Sequence, residues 1–458
     1  MSQPSAFWHP FADMSAVAGN ELVIESGHGC YVRSVDGVEY LDASAALWYC
    51  NVGHGRREIA DAVAQQMLKI AAYSNFGDTA TLSTVQLADR LAAMAPMDDA
   101  KVFFTSGGSD GVDTAFKLVR RYWVMRGQPS RTRIIARTRA YHGMHLSGTS
   151  LAGIPANREG YGPLDEHVST VAWDNAQVLA DRIDELGAEN VAAFYCEPVI
   201  GAGGVYPPPP GYLSAVREIC RERGVLFVAD EVITGYGRTG VMFASAGLSP
   251  DLVITAKGLT SGYLPMGALF VSGEVAEPFW NTPGALWRHG YTYSGHATAA
   301  AAAWANLDII ENEGLVARVA SSALTLSAAI APLRSHDYVV ALRSGTGLLA
   351  AVQLKPELLA ADPTLMPRVI AGLRSRGVLT RGLADGSVQI SPPFVVARDE
   401  LNRIATALDE SLADAGSQRL ATAGITVDLL PDVTSDEVGG FGSSDERLLA
   451  DVPPHHGN

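Results

Sequence analysis

The sequence predicts an α/β fold in which a mainly parallel sheet is sandwiched by helices. Between about residues 60 and 300, short apolar runs of β-type composition alternate with helical patterns. The runs lack the apolar/polar alternation of half-exposed strands, so the sheet should be covered on both faces. The chain has 458 residues, of which 47% are hydrophobic and 18% charged. That length is enough for roughly two or three folding units.

Six apolar runs are the candidate strands of this sheet, and polar or glycine-rich residues follow each of them. The runs cover residues 101–105, 133–137, 191–196, 225–229, 252–255 and 268–272. In open α/β sheets, ligands bind at the carboxyl ends of the strands. The residues directly after these runs are therefore the first candidates for a functional site.

The two ends of the chain are expected to build a second, smaller α+β domain together. Residues 1–60 and 305–415 carry strand and helix patterns on either side of a large domain at 61–304. In residues 416–458 the hydrophobic pattern weakens, and we expect an acidic, poorly ordered tail. Candidate strands of the smaller domain cover residues 37–42, 348–354 and 388–390.

The charge distribution excludes nucleic acid as a main partner. The chain has 34 basic and 49 acidic residues, a formal net charge of −15, and no basic block. Seven acidic residues against one basic residue between Asp428 and Asp451 contribute −6 of this charge. Binding of a phosphate backbone needs clustered Lys and Arg side chains, which this sequence lacks.

The cysteines and the apolar runs indicate a cytoplasmic enzyme. Cys30, Cys50, Cys196 and Cys220 form no CxxC pair and are expected to be reduced and buried. The first residues contain neither a basic start nor an apolar run of signal-peptide length. The longest apolar stretches, such as 297–305, are shorter than the ~20 residues that cross a bilayer. We therefore expect no membrane segment, and no residue pattern indicates a metal site.

Residues 105–109, Thr-Ser-Gly-Gly-Ser, stand between a candidate strand and a candidate helix. Backbone amides and the Ser109 hydroxyl converge there at a helix N-terminus, which is a binding site for phosphate. The alternative is an ordinary turn in which Ser109 caps the helix. The segment has neither GxGxxG spacing nor a P-loop ending, so a single phosphate fits it better than a nucleotide.

Asp230 directly follows one apolar run, and Lys257 closely follows another. A lone buried carboxylate costs several kcal/mol unless a cation pairs with it, so Asp230 needs a positive partner. Burial or a neighbouring cation can lower the pKa of a lysine, and the neutral amine then forms an imine with an aldehyde. The alternatives are a turn or N-cap aspartate and a solvated surface lysine.

The phosphate site, the carboxylate and the amine together point to pyridoxal phosphate as the cofactor. This molecule offers an aldehyde to Lys257, a protonated ring nitrogen to Asp230 and a phosphate to Ser109. Asp230 would then make the ring a stronger electron sink. Lys257 would act as the general base and acid that moves the substrate proton.

Three segments resemble the class III pyridoxal-phosphate aminotransferases of fold type I in order and spacing. They read Asp-Glu-Val-Ile-Thr-Gly-Tyr-Gly-Arg-Thr-Gly at 230–240, Lys-Gly-Leu-Thr-Ser-Gly-Tyr-Leu-Pro-Met-Gly at 257–267 and His-Gly-Tyr-Thr-Tyr-Ser-Gly-His at 289–296. The resemblance covers roughly residues 8–410. It implies that Lys257 forms the covalent link to the cofactor and that Asp230 binds the ring nitrogen.

The resemblance also implies the remaining contacts of the cofactor. Val232 is expected on one face of the ring and Tyr141 on the other, while Thr292 from a neighbouring subunit joins the phosphate site. The active sites would then be shared within a homodimer or a tetramer. The cofactor-binding residues implied are Gly108, Ser109, Tyr141, His142, Asp230, Val232, Lys257 and Thr292.

Three further residues are expected to bind the substrate. In ornithine, acetylornithine and γ-aminobutyrate enzymes of the family, the position of Ala202 holds a glutamate that pairs with the substrate-binding arginine. Arg381 lacks that partner here and is expected to be an unpartnered charge. Arg381 resembles the arginine of ω-amine:pyruvate aminotransferases that binds a carboxylate and swings away for apolar substrates. The segment around Trp48 resembles the same group, with Trp48 as a pocket wall. The alternative for Arg381 is a surface arginine in a hairpin.

These residues predict an aminotransferase of the ω-amine:pyruvate kind. It would move an amino group from a primary amine or ω-amino acid to pyruvate or a similar keto acid by a ping-pong mechanism. The same cofactor residues also serve class III decarboxylases, aminomutases and racemases, which remain the alternative. The sequence leaves the donor open among β-alanine, taurine, putrescine and arylalkylamines.

Overall fold

A computed structural model describes residues 5–417 of the chain. The tail predicted at 416–458 lies outside the described residues from 418 onwards. Within the described part the α-helices, α1 to α14 in chain order, are Met14–Val17, Ala45–Trp48, Arg57–Lys69, Leu82–Met94, Gly108–Met125, Leu146–Leu151, Ala176–Leu186, Tyr212–Glu222, Gly273–Trp280, Ala297–Asn312, Leu315–Ile330, Pro356–Ala361, Leu365–Ser375 and Arg398–Ser417. Short 3₁₀ segments are Pro155–Asn157, Ala188–Asn190, Lys257–Leu259 and Ala331–Ser335.

The strands of the same residues form three sheets. In chain order, β1 to β14 are Ile24–His28, Tyr31–Ser34, Glu39–Asp42, Lys101–Thr105, Arg133–Arg137, Val168–Val171, Val191–Cys196, Leu226–Asp230, Leu252–Thr255, Gly267–Val271, Val339–Thr346, Leu349–Leu354, Val378–Leu379 and Ser387–Ile390. All six strands predicted for the large sheet are present. The run at 225–229 begins and ends one residue later, so Asp230 is itself the last residue of its strand. The run at 268–272 begins and ends one residue earlier.

The largest sheet has seven strands in the order β4-β10-β9-β8-β7-β5-β6. Strands β9, β8, β7, β5 and β6 are parallel to one another, as predicted. Strand β10 departs from the prediction because it runs antiparallel to both β4 and β9. Because β10 is antiparallel to both neighbours, β4 runs in the same direction as β9. The carboxyl ends of β4, β7, β8 and β9 therefore lie at one edge of the sheet.

Both faces of this sheet are covered, which explains the missing polar alternation. On β8, Leu226 and Val228 belong to one buried cluster, while Phe227 and Ala229 belong to another on the opposite face. Helix α5 covers the first face, and α8 supplies core residues to the second. The buried residues of α5 include Val112, Phe116, Val119 and Trp123, and such an apolar stripe stabilises the fold by burial.

Residues from both ends of the chain meet in one smaller sheet. Strands β1, β2 and β3 form an antiparallel meander, and β13 joins β3 in parallel through Val378 and Leu379. Strands β11, β12 and β14 form a separate antiparallel sheet. The domain bounds proposed from the sequence stay predictions, and the one at 304/305 falls within α10.

One apolar helix is longer than the sequence analysis allowed. Residues 315–335 are long and apolar enough, by length and composition alone, to cross a membrane. A single helix of this kind is weak evidence for a span. Its residues Leu315, Val319, Leu326 and Ile330 are buried in the main core, and the helix contacts α10, α14 and β11. The four cysteines are free and buried, as predicted.

Candidate active site

Polar residues follow the strands at the shared carboxyl edge of the seven-stranded sheet. Glu197 follows β7, Asp230 ends β8, and Lys257 stands two residues after β9. Gly108 begins helix α5 three residues after β4. Adjacent parallel strands bring their carboxyl ends together, so side chains from distant parts of the sequence meet in one place.

These residues line a cavity of about 190 Å³. Seven of the eight cofactor residues expected from the sequence are among them, and the exception is Thr292. The lining residues are Gly108, Ser109, Val112, Tyr141, His142, Gly143, Glu197, Asp230, Val232, Ile233 and Lys257.

The first turn of α5 forms one end of the cavity. Gly107 precedes it, and no side chain caps its amides, so they remain available to an anion. Ser109 is inside the helix rather than at its cap, and its Oγ accepts a hydrogen bond from the Met144 amide at 3.2 Å. A Cβ atom on Gly108 would lie 3.0 Å from Cγ1 of Val232, so only glycine lets the turn approach Val232 this closely.

Asp230 is buried, with 5% of its surface exposed, at another wall of the cavity. Its Oδ1 accepts from the Val232 amide at 3.0 Å, and its Oδ2 lies 2.8 Å from Nδ1 of His142. Nε2 of His142 is buried without a hydrogen-bond partner among the described residues. The carboxylate is therefore held in place while facing a space that a cationic group can enter, because a buried charge needs a partner.

Lys257 begins a short 3₁₀ turn in the left-handed conformation, with φ of 36°. Burial lowers the pKa of its amine to about 8; Asp230 and Glu197 raise it and Arg381 lowers it further. An appreciable neutral fraction therefore exists near pH 8, and a neutral amine acts as a nucleophile or a base.

Glu197 is a cavity residue that the sequence analysis did not select. Its Oε1 accepts from the Tyr141 amide at 3.1 Å and its Oε2 from the Gly201 amide at 3.0 Å. Burial raises the pKa of this carboxyl group. Glu197 thus holds the loop of Tyr141 and the loop of Ala202 beside each other. The signal that identified Asp230, an acidic residue after a buried strand, applies equally to Glu197.

Trp48 and Ala202 lie in one buried apolar cluster, and Tyr141 packs against it. Trp48 and two preceding residues, Ala45 and Ala46, have positive φ angles of 60°, 47° and 56°. Asp42 holds this unusual turn, because its Oδ2 accepts from the Ala46 amide at 2.8 Å. The ring centre of Trp48 lies 5.5 Å from Nζ of Lys257.

Arg381 is next to this wall but is not the unpartnered charge that we expected. Its guanidinium carbon lies 4.4 Å from the centre of the Trp48 ring, and its Nε donates to Oε1 of Gln389 at 3.0 Å. A planar guanidinium stacks on an aromatic ring while its edge still donates hydrogen bonds, which explains both contacts. Gln389 and Trp48 are neutral groups.

Thr292 is exposed and does not line the cavity of its own chain. The loop around it docks on α5 through Tyr291, whose hydroxyl donates to the Asp110 carbonyl at 3.2 Å. The expected role of Thr292 belongs to the site of a partner subunit, so it stays a prediction.

The residues present fit pyridoxal phosphate. The uncapped amides of α5 and the Ser109 hydroxyl suit a phosphate, and the buried Asp230 suits a protonated ring nitrogen. The amine of Lys257 suits an aldehyde. Val232 and Tyr141 both line the cavity, and an apolar and an aromatic side chain suit the faces of a flat ring.

Comparison with known proteins identifies related sequences and structures. A family model described as "Aminotransferase class-III" matches residues 14–412. The putrescine–pyruvate aminotransferase of Pseudomonas aeruginosa is 37% identical over 90% of this chain and 95% of its own. The ω-amino acid–pyruvate aminotransferase of Pseudomonas putida is 36% identical over 89% of this chain and 95% of its own.

Two solved structures are similar to the whole described fold. A pyridoxal-phosphate-bound amine transaminase from an uncultivated Pseudomonas species has a TM-score of 0.85 and 36% identity, covering 90% of this chain and 99% of that one. A thermostable (S)-enantioselective ω-transaminase from Thermomicrobium roseum has a TM-score of 0.85 and 37% identity, covering 89% and 96%.

Proposed function

The chain belongs to the class III aminotransferases, and we propose that within this family it transfers an amino group from a primary amine or ω-amino acid to pyruvate or a similar keto acid. Enzymes of this family depend on pyridoxal phosphate and have the type I fold. The observation that carries the proposal is the wall beside Lys257, where the guanidinium of Arg381 stacks on Trp48. One cation and one aromatic surface suit a keto acid and an apolar amine in turn.

The chain's own residues hold the cofactor and direct its reactivity. When bound, pyridoxal phosphate supplies an aldehyde and an electron-withdrawing ring that make the proton on the carbon beside the amine acidic. Asp230 would bind the ring nitrogen, and His142 fixes its carboxylate in place. The amides at the start of α5 would hold the phosphate.

Lys257 is the residue that moves the proton. Its Nζ can take a proton from the α-carbon of the donor, because burial leaves a neutral fraction of the amine near pH 8. The surrounding apolar cluster of Trp48, Val199 and Ile233 keeps water away from this step. Lys257 is then ready to return the proton when the keto acid is converted.

The two substrates would use the same pocket in alternate half-reactions. The carboxylate of the keto acid would bind Arg381, while the apolar body of an amine would contact Trp48. The contacts of Arg381 with Gln389 and Trp48 involve neutral groups, so neither of these two contacts competes with a substrate carboxylate as an ion pair would. This arrangement favours a ping-pong mechanism.

The names of the relatives support transfer of an amino group rather than another reaction at the same cofactor. Putrescine, β-alanine and ω-amino acids appear as donors in those names, with pyruvate as the acceptor. Among these three relatives the donors differ while pyruvate is the shared acceptor. We therefore propose that pyruvate or a similar keto acid binds on the Arg381 side of the pocket. For the donor we propose a class of compounds, the primary amines and ω-amino acids.

A half-reaction screen tests this function directly. The purified holoenzyme is mixed with single amines, and conversion of the aldehyde form of the cofactor to its amine form is followed by absorbance. Pyruvate should then restore the aldehyde form. Release of carbon dioxide, or inversion of the amine without loss of the amino group, would identify a decarboxylase or a racemase instead.

We also propose a homodimer with shared active sites. Support comes from the exposure of Thr292 and of the aromatic side chains of Tyr73, Phe76 and Tyr293, since exposed aromatic residues are typical of protein interfaces. Lys257→Ala and Thr292→Glu chains, each inactive alone, should regain about a quarter of wild-type activity when refolded together, since half of the dimers then hold one intact site. No recovery, together with a monomeric mass in light scattering, would contradict the shared site.

We propose a cytoplasmic location for the enzyme. The support is chemical, because all four cysteines are free and buried in the described fold and free thiols persist in a reducing compartment. Fractionation of cells that produce the protein at native level should place it with soluble cytoplasmic markers, and recovery with the periplasmic or membrane fraction would contradict this.

A further inference from the structure

A buried acidic residue, Asp385, lies at the turn of the hairpin that carries Arg381. The hairpin is closed by the Gln389 amide, which donates to the Arg381 carbonyl at 3.0 Å. Only 4% of the Asp385 side chain is exposed. Its Oδ1 accepts from the amide and the hydroxyl of Ser387 at 3.1 and 2.6 Å, so one carboxylate oxygen fixes the shape of the turn.

The second carboxylate oxygen of Asp385 joins the hairpin to the loop that carries Ala202. Oδ2 accepts from the hydroxyl of Tyr206 at 2.8 Å and from Nη2 of Arg343. Nε of Arg343 donates to the Gly204 carbonyl at 2.8 Å. Arg343 and Asp385 therefore tie this loop to the Arg381 hairpin through a buried ion pair.

Tyr206 extends these contacts to the segment before Tyr141. Two guanidinium groups lie over its ring, with centre-to-carbon distances of 4.1 Å to Arg343 and 4.6 Å to Arg139. Nη1 of Arg139 donates to the Tyr206 hydroxyl at 3.0 Å. Burial and Asp385 raise the pKa of Tyr206, so the hydroxyl keeps its proton and can donate it to Asp385. We call Asp385, Arg343, Tyr206 and Arg139 the Asp385 network.

The network acts on the hairpin backbone that carries Arg381. The contacts of the Arg381 guanidinium with Gln389 and Trp48 involve neutral groups, and the side chain of Ala202 carries no charge. The hairpin backbone, in contrast, is tied down by a buried charge. Removing one member of a buried charge pair costs far more than removing a neutral contact, because the other charge remains unpaired.

We propose that Asp385 is a positioning residue that fixes the Arg381 hairpin against the Ala202 loop and thereby sets the enzyme's selectivity for substrates that carry a carboxylate. This inference rests on the proposed role of Arg381 in binding that carboxylate. An apolar amine does not use the guanidinium, so its reaction depends much less on where the hairpin lies. Loss of the network should therefore weaken the reaction of substrates that carry a carboxylate more than the reaction of apolar amines.

The test compares Asp385→Asn with wild type as holoenzyme, using pyruvate as the acceptor and 1-phenylethylamine as a donor that has no carboxylate. The expected result is a KM for pyruvate raised about tenfold, with kcat and the KM for the amine changed less than about twofold. The Kd of 3-phenylpropionate, a carboxylate without amine or keto group, should rise by the same factor in calorimetry. Tyr206→Phe removes a single hydrogen bond to Asp385 and should move the same quantities in the same direction by less.

Two controls make the result decisive. Asp184→Asn breaks an exposed ion pair with Arg223 and should change none of these quantities. In an Arg381→Ala background, Asp385→Asn should have no further effect on pyruvate. The inference is overturned if Asp385→Asn raises the KM for the amine as much as the KM for pyruvate, or if its effect on pyruvate persists in the Arg381→Ala background. Should Asp385→Asn not fold, an unchanged pyruvate KM in Tyr206→Phe would overturn the inference. If Arg381→Ala alone leaves the pyruvate KM unchanged, the proposed role of Arg381 fails instead.

Discussion

The centre of the Trp48 ring lies 4.4 Å from the guanidinium carbon of Arg381 and 5.5 Å from Nζ of Lys257. The reactive amine and the cation that we assign to carboxylate binding thus share one aromatic neighbour. A change at Trp48 should therefore affect both the size of the pocket and the place of Arg381.

Replacement of Trp48 by alanine is expected to admit bulkier arylalkylamines and to raise the KM for pyruvate about fivefold, since the guanidinium loses its stacking surface. Steady-state kinetics with a series of amines of increasing size measures both effects. Trp48→Phe, which keeps an aromatic face, is the control and should retain the wild-type KM for pyruvate. An unchanged pyruvate KM in Trp48→Ala would show that the stacking does not position Arg381.

In the cofactor-free protein, Lys257 should react with formaldehyde and cyanoborohydride near pH 8 in preference to exposed lysines such as Lys69. The pKa of Lys257 is lowered from 10.5 to about 8, so the reactive neutral amine forms as the pH rises through 8. Mass spectrometry of labelled peptides between pH 6.5 and 10 gives the midpoint. Arg381→Ala should shift this midpoint upwards, because Arg381 lowers the pKa; a midpoint near 10 in the wild-type protein would contradict the burial of this amine.

Substitution of Gly108 by alanine should weaken cofactor binding about tenfold, because the new methyl group would lie 3.0 Å from Val232 and displace the first turn of α5. The Kd of pyridoxal phosphate, from titration of the cofactor-free protein, is the measurement. Val232→Ala removes the clashing methyl groups, so the double variant should bind more tightly than Gly108→Ala. If the second substitution brings no recovery, the contact with Val232 is not the reason for glycine here.

Arg238 is expected to be a large contributor to stability. It is fully buried and donates to Oδ1 of Asn51 at 2.7 Å and to the Pro392 carbonyl at 2.6 Å, so it joins both ends of the chain to the loop after Asp230. Arg238→Met should lower the free energy of unfolding by about 3 kcal/mol, since these buried acceptors lose their donors. Urea denaturation measures this change.

The control for this prediction is Arg221→Met, which removes an arginine from an exposed pair with Glu218. Its melting temperature should match that of the wild-type protein, because exposed ion pairs add little to stability. Equal stability of the Arg238 and Arg221 variants would mean that the contacts of Arg238 are replaced by water at no cost.

The groups at the ends of buried strands could be predicted from the sequence. Asp230 and Lys257 stand out because a charged residue interrupts or follows an apolar run, and this is a local signal. The direction of β10 could not be predicted, since a strand buried on both faces has the same composition whether it is parallel or antiparallel. Glu197 carried the same local signal as Asp230.

Contacts between distant segments were beyond the sequence pattern. The turn at Trp48 depends on the carboxylate of Asp42, and the contact of Arg381 with Gln389 depends on hairpin register. Asp385 reads as an ordinary turn aspartate until Arg343 and Tyr206 are placed beside it. Motif resemblance located Trp48 and Arg381 in the pocket, but only the fold supplies their partners.

The seven-stranded sheet supplies Gly108, Asp230 and Lys257, whereas Trp48 and Arg381 come from segments of the two smaller sheets near either end of the chain. Heritable variation in those segments can therefore alter donor preference without changing the residues that bind the cofactor. A lineage built on this plan could acquire new amines by small steps, each intermediate remaining a working catalyst. For protein engineering, the same separation means that variant libraries at residues 42–48 and 381–389 should contain active enzymes with altered selectivity more often than inactive ones.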